Sequence, residues 1–291
     1  MRLRCKQIVR GILAVGALLV ALSASHLRAQ NPDNMMPEER TAKGKQILEQ
    51  LITALGGPTY LDIRESNCEG RLAQFGHSGE LTGYTPFKVY WRYPDKNRTD
   101  FSKKGVIVNV YNGDRGWTLD RGGVSELSNA AVADFQEQAK RDINNLLRMR
   151  LKEPGMTIRF GGTDVVDLRT VEWVEITDTE QRDFRLAVDR STHFLVRTVI
   201  TLQDDTSPDR SVETRIYTNY QLMDGVQTPL QITLDRNGRR INQVFFQSCK
   251  YNPGFSEDFF TKAALDKRSS EVGVKKSKAE KKREREAEKD N

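Results

Sequence analysis

Few side chains in this sequence are of types that do chemistry, and their spacing limits what they can do. Apart from His26 near the N-terminus, the histidines are His77 in FGHSGE and His193 in DRSTHF, both turn-like stretches. Ser78 and Ser191 stand beside them, the residue types a hydroxyl nucleophile and its imidazole base would need. Neither serine lies in a G-x-S-x-G elbow, and no acid is placed to orient a ring, so both histidines read as surface turn residues. The acidic pairs Asp164 with Asp167 and Asp204-Asp205 occupy turns without a metal-loop pattern. Gly161-Gly162 precedes a strand-like run rather than a helix, which removes a phosphate cradle. Beyond Cys5 the only cysteines are Cys68 and Cys249, too few for a zinc site without a matching histidine spacing. The expectation is a chain with no catalytic residue, no metal and no cofactor.

Cys68 and Cys249 sit in strand-like runs, NCEGRLAQF and VFFQSCKY. In an oxidising compartment they could pair, closing a loop of ~180 residues if their strands are neighbours. Two buried thiols acting as small apolar groups are the alternative.

The aromatics say more. Between Pro86 and Arg121, Phe87, Val89, Trp91 and Tyr93 alternate with Lys88, Tyr90 and Arg92. That period of two gives a strand one apolar and one polar or amphipathic face. Asn112-Gly113-Asp114 then separates a Val-rich run from Trp117, Thr118 and Leu119, a hairpin signal because Asn and Gly tolerate positive φ. Trp91, Trp117, Trp173, Tyr93, Phe184 and Phe246 all fall in strands, and such aromatics either pack a core or line a cavity.

The elements that must position these residues follow from the same periodicity. Pro37 to Leu55 reads as a helix, with Ile47, Leu48, Leu51, Ile52 and Leu55 on one stripe and Gly56-Gly57-Pro58 as its stop. From about Ser66 to Lys250 most of the chain alternates with period two. One helix interrupts it, capped by Ser128 and carrying Val132, Phe135, Ala139, Ile143, Leu146, Leu147 and Leu151 until Pro154-Gly155. Asn237-Gly238 marks another hairpin. The expected fold is α+β, mainly β: a single curved antiparallel sheet of ten or more strands with the two helices against it.

Charge and the termini bound the partners. The formal net charge is +6, but residues 1–29 hold five of the 46 Lys and Arg and no acid, and residues 267–291 hold ten basic and six acidic side chains. Residues 30–266 keep 31 basic and 34 acidic groups, a net of −3, so no basic face is available for nucleic acid. Arg2, Arg4, Lys6 and Arg10 precede the apolar run Gly11 to Leu22, and small residues follow it, the pattern of a cleaved export signal over residues 1–29. Twelve residues rise only about 18 Å as a helix, short of a ~30 Å hydrocarbon core; a short membrane anchor is the other reading. Residues 266–291 are mixed charge and almost free of apolar side chains, so they read as a solvated tail after a single domain at 30–265.

The order of these elements resembles the periplasmic lipoprotein-sorting family, LolA-like, with the LolB- and RseB-like relatives of the same fold. The features are a helix ending ALGG, a strand with CEGRLAQF, the W-x-x-P-x-x-x-R run of Trp91, Pro94 and Arg98, the NGDRGW hairpin, and YNPGFSEDFF near the C-terminus. The resemblance covers about residues 40–262. It implies an unclosed half-barrel whose concave face, covered by helices, holds a lipid or acyl chain. On that basis Val89, Trp91, Trp117, Leu119, Trp173, Leu186, Ile232 and Leu234 are expected to face inward and line a cavity, with Arg98 near its mouth for an acidic headgroup. The implied function is an exported, non-catalytic periplasmic carrier or binder of a lipid, acyl chain or lipoprotein. An envelope protein-interaction or sensory module on the same fold is the alternative.

Overall fold

The computed structural model describes residues 32–101, 106–203 and 210–273. The expected signal at 1–29, Asp204-Asp205 and the chain beyond residue 273 lie outside them. Six strands come first: β1 (Glu65–Phe75), β2 (Leu81–Arg92), β3 (Lys96–Asp100), β4 (Val108–Asn112), β5 (Arg115–Asp120) and β6 (Gly123–Glu126). Seven follow: β7 (Thr157–Val166), β8 (Arg169–Thr177), β9 (Asp183–Asp189), β10 (Leu195–Gln203), β11 (Arg210–Met223), β12 (Val226–Arg236) and β13 (Arg239–Tyr251). All thirteen join one unclosed sheet in the order β6-β5-β4-β3-β2-β1-β13-β12-β11-β10-β9-β8-β7. Each half is a plain antiparallel meander, and the halves meet at the β1–β13 seam. This is the mainly-β half-barrel that the periodicity and the resemblance implied.

Helix α1 (Pro37–Leu55) buries Ile47, Leu48, Leu51 and Leu55, the stripe its 3.6 periodicity sets out. Gly44 sits where α1 crosses β7 so closely that a Cβ would meet the Arg159 carbonyl carbon at 2.9 Å. Gly56, at φ 133°, and Gly57, whose amide donates to the Ile52 carbonyl at 2.9 Å, end the helix. A four-residue turn, α2 (Pro58–Leu61), follows. α1 packs with Phe160, Val174, Ile176, Phe184 and Leu186 into the main core. The face of the sheet that carries α1 is called the inner face.

The long helix expected at 128–151 is two helices, α3 (Asn129–Arg141) and α4 (Ile143–Arg148). Asp142 between them has extended backbone, φ −65° and ψ 128°, and its carboxylate accepts from the Asn144 and Asn145 amides at 2.9 and 3.0 Å. A second N-cap is therefore built into what the apolar stripe shows as one run. The stripe survives because both pieces bury onto the same inner face. The expected tail boundary also moves. Thr261 caps α5 (Lys262–Glu271), whose Leu265 is fully buried with Phe260 on the outer face, so the fold runs past residue 265.

An ion network fastens α3 to the turn between β8 and β9. Asp178 accepts from the Glu180 and Arg182 amides at 2.9 Å and from the Arg150 and Arg182 guanidinium groups at 3.0 Å. Burial alone would raise its carboxyl, but the Arg182 amide and both guanidinium groups outweigh burial and hold it below its ordinary value. Glu180, bonded by Arg182 and Lys140, is held down to about 2. Glu137 of α3 completes the link through Arg182 at 2.8 Å.

Candidate functional site

Between the inner face and helices α2 and α4 lies a cavity of about 180 Å³. Its sheet wall includes Cys68, Val89, Trp91, Tyr217, Ile232, Phe246 and Cys249; its helix wall includes Leu55, Tyr60, Ile143, Leu147 and Arg148. Cys68 and Cys249 face each other across the seam, Cα atoms 4.1 Å apart, and their sulfurs are bonded, so a disulfide forms part of the wall.

An open groove of about 440 Å³ lies beside the cavity and shares Val89, Trp91, Asp142 and Arg215 with it. Asn97, Thr99, Asn109, Tyr111, Asp134 and Phe135 are among the other residues that line the groove between β3, β4 and α3. A row of near-parallel rings runs from one to the other. Tyr93 stacks on Trp91 at 5.6 Å and 5°, Trp91 on Phe135 at 5.7 Å and 24°, and Phe135 on Tyr111 at 4.2 Å and 12°. Gly116 makes room for α3 here, since a Cβ would meet the Val132 side chain at 3.2 Å.

The lining is apolar in bulk but carries polar tips. Five tyrosines border the cavity, and each hydroxyl has a partner. Tyr60 donates to Asn144 at 3.2 Å and Tyr220 to the Leu195 carbonyl at 2.9 Å. Tyr93 pairs with Ser66 at 3.2 Å, Tyr217 with Thr198 at 3.4 Å and Tyr251 with Thr228 at 2.7 Å. Burial raises all five phenols, Tyr251 to about 12, so they stay neutral donors at physiological pH.

Three charged groups line the cavity: Asp142, Arg148 and Arg215. Arg215 pairs with Glu213 at 2.8 Å, and Asp142 spends its Oδ1 on the α4 cap. Arg148 is only 7 % exposed. It donates to the Asn144 and Ile63 carbonyls at 3.2 and 3.0 Å and lies over the Tyr93 ring at 3.9 Å.

The eight expected lining residues divide. Val89, Trp91 and Ile232 border the cavity. Leu186 faces inward but is packed solid in the main core, and Leu234 is half-buried and off the wall. Trp117 and Leu119 are corrections: they lie on the outer face with Val108, Val110, Phe260 and Leu265. Trp173 is another, packed on the outer face with Val171, Ala187 and Val196, the Arg185 guanidinium 4.6 Å above its ring. Arg98 does not stand at the mouth. It is 8 % exposed beneath the C-terminal segment, its Nε 2.9 Å from Asp100 and its guanidinium 4.8 Å from the Phe259 ring. Period two says which residues share a face, not which face turns to the helices.

The residues missed are Arg148, Arg215 and the tyrosines other than Tyr93. On β11 strict period two would put Ile216, Thr218 and Tyr220 on one face, and the ladder breaks that alternation. Asn219, at φ 56°, has no partner in the β11–β12 ladder, so Tyr217 before it and Tyr220 after it both reach the cavity. Arg148 carries no comparable signal, since nothing local separates it from Arg141 or Arg150.

No protein-family model matches the chain, and no curated protein matches it in sequence. Solved structures do. A DUF1329 family protein from Desulfovibrio piger superposes with a TM-score of 0.56 at 15 % identity, over 76 % of this chain and 98 % of that one. The two chains share a fold. A LolA superfamily protein from Nitrosomonas europaea reaches a TM-score of 0.48 at 14 % identity, over 76 % of this chain and 99 % of that one. At such identities the likeness is one of fold. No helix among the described residues is long and apolar enough to cross a membrane.

Proposed function

We propose that this chain is an exported, non-catalytic binder or carrier of a lipid-like or acylated ligand, held in the inner-face cavity and the groove beside it. One observation carries the reading: the sheet's own helices leave an apolar-walled space of about 180 Å³ beside a groove that shares four of its lining residues, unfilled by any side chain. The enclosed part matches about six water-sized groups in volume. A chain of twelve or more methylenes would therefore extend along the stacked rings into the groove. Each methylene removed from water contributes about 0.8 kcal/mol, enough for binding with few polar contacts. His77 contacts Arg239 and His193 sits in a turn at φ 58°, and neither borders the cavity. Export through residues 1–29 into the periplasm belongs to the same reading.

Native mass spectrometry and organic extraction of protein purified from the envelope test it. The expected result is a co-purifying amphiphile, lost in Ile232→Arg, which places a charge in the cavity. Protein free of ligand that also fails to bind fatty acids, with a stoichiometric protein partner instead, would replace this reading with an envelope interaction module. N-terminal sequencing is expected to find the mature chain starting near His26 or Gln30.

A further inference from the structure

Of the two cations on the cavity wall, Arg148 is the one without a counter-charge. Among the described residues no carboxylate lies within ion-pair distance of it, although it is 7 % exposed. The other two charges are committed, Arg215 to Glu213 at 2.8 Å and Asp142 to the amides of Asn144 and Asn145. Burying a guanidinium without an acid is costly, and protein interiors pair such groups or leave them for a ligand. Two backbone carbonyls and the Tyr60 and Tyr93 rings fix its plane, with centroid distances of 5.4 and 3.9 Å. Those bonds use two of its five N–H donors. The cation is positioned in advance on the cavity wall, beside the Tyr93 hydroxyl, with donor capacity left over.

We propose that Arg148 recognises the carboxylate of an anionic amphiphile, which enters the cavity head first and lays its chain along Trp91, Phe135 and Tyr111 toward the groove. This rests on the binding reading above and names its ligand class. A guanidinium fork matches the two oxygens of a carboxylate. The cavity accepts a headgroup and the first few methylenes, and the rest of the chain runs along the edges of the stacked rings, whose faces cover one another. A neutral alcohol of the same length would gain the apolar contacts but leave the guanidinium unpaired.

Titration calorimetry of the purified, delipidated protein with octanoate and with 1-octanol separates these contributions. Octanoate is expected to bind at least tenfold more tightly than octanol. Arg148→Met should bring the two within about threefold by weakening octanoate and leaving octanol unchanged. Arg148→Lys, which keeps the charge and loses the fork, should lower the ratio at least threefold, and it decides the matter should the methionine variant not fold. Equal binding of the two probes by the wild type, or a ratio unchanged in a folded Arg148 variant, overturns the proposal while the binding reading stands. Binding of neither probe overturns both.

Discussion

The two faces of strands β2 to β5 are built from similar material and end in opposite states. On the outer face, Tyr90, Val108, Val110, Trp117 and Leu119 meet Phe255, Phe259, Phe260 and Leu265 from the chain's own C-terminal segment, and the space is filled. Its buried arginine, Arg98, has Asp100 at 2.9 Å. On the inner face, Trp91 and Tyr111 stack on Phe135 of α3, yet a gap remains beside Val89 and Trp91 under α4, and the buried arginine there, Arg148, has no acid. Aromatic residues beside an arginine are thus a packed core where the chain supplies the complement and a candidate binding site where it does not.

The largest expected effect falls on the seam that both faces share. Replacing Cys68 and Cys249 by serine frees a loop with a sequence separation of 181 residues. In the chain-entropy picture that loses about 5 kcal/mol, read as a lower urea midpoint. A loss under about 1 kcal/mol would mean the β1–β13 ladder holds the seam unaided.

Truncation on each face tests the contrast directly. Phe260→Ala, at a residue 1 % exposed on the filled face, should cost about 3–5 kcal/mol. Ile232→Ala, beside the gap, should cost about 1 kcal/mol because it loses fewer contacts. Similar costs in denaturant titrations would show the inner face to be as well packed as the outer.

Acid should loosen the inner-face helix first. Asp178 and Glu180 titrate below their ordinary values in the folded protein. A depressed carboxyl stabilises the fold fully above its unfolded value near ~4 and loses that contribution as pH falls through its folded value. For Glu180 that value is about 2. Urea midpoints should fall between roughly pH 4 and 2, and Asp178→Asn should flatten that limb. A limb of equal slope in the variant would assign it to other carboxylates.

The smallest effect is optical. Ligand-induced change in tryptophan fluorescence should vanish in Trp91→Phe and persist in Trp117→Phe, since only Trp91 borders the cavity. The reverse result would move the site to the outer face.

Much of the fold was legible because its signals are local. The α1 stripe, the Ser128 cap, which accepts from the Ala131 amide at 3.2 Å, and the Asn237-Gly238 turn, φ 50° and 75°, act within a few residues. The break at Asp142 was present in the sequence as a capping residue, but a continuous apolar stripe concealed it, because periodicity reports the face and not the continuity of the helix. Of the candidate site, Val89, Trp91 and Ile232 were legible as inward strand residues.

By itself the sequence determined the pattern: strands with alternating faces, two amphipathic helical runs, and cysteines placed to pair if their strands met. Tertiary structure decided which face each alternation turns inward. The C-terminal segment takes one face of β4 and β5 and buries Trp117 there, and the helices take the other. It also decided the charges, because the partner of a buried arginine is set by contacts across the fold. Arg98 finds an acid two residues away, whereas Arg148 reaches Ile63, 85 positions back in the chain, and finds only a carbonyl.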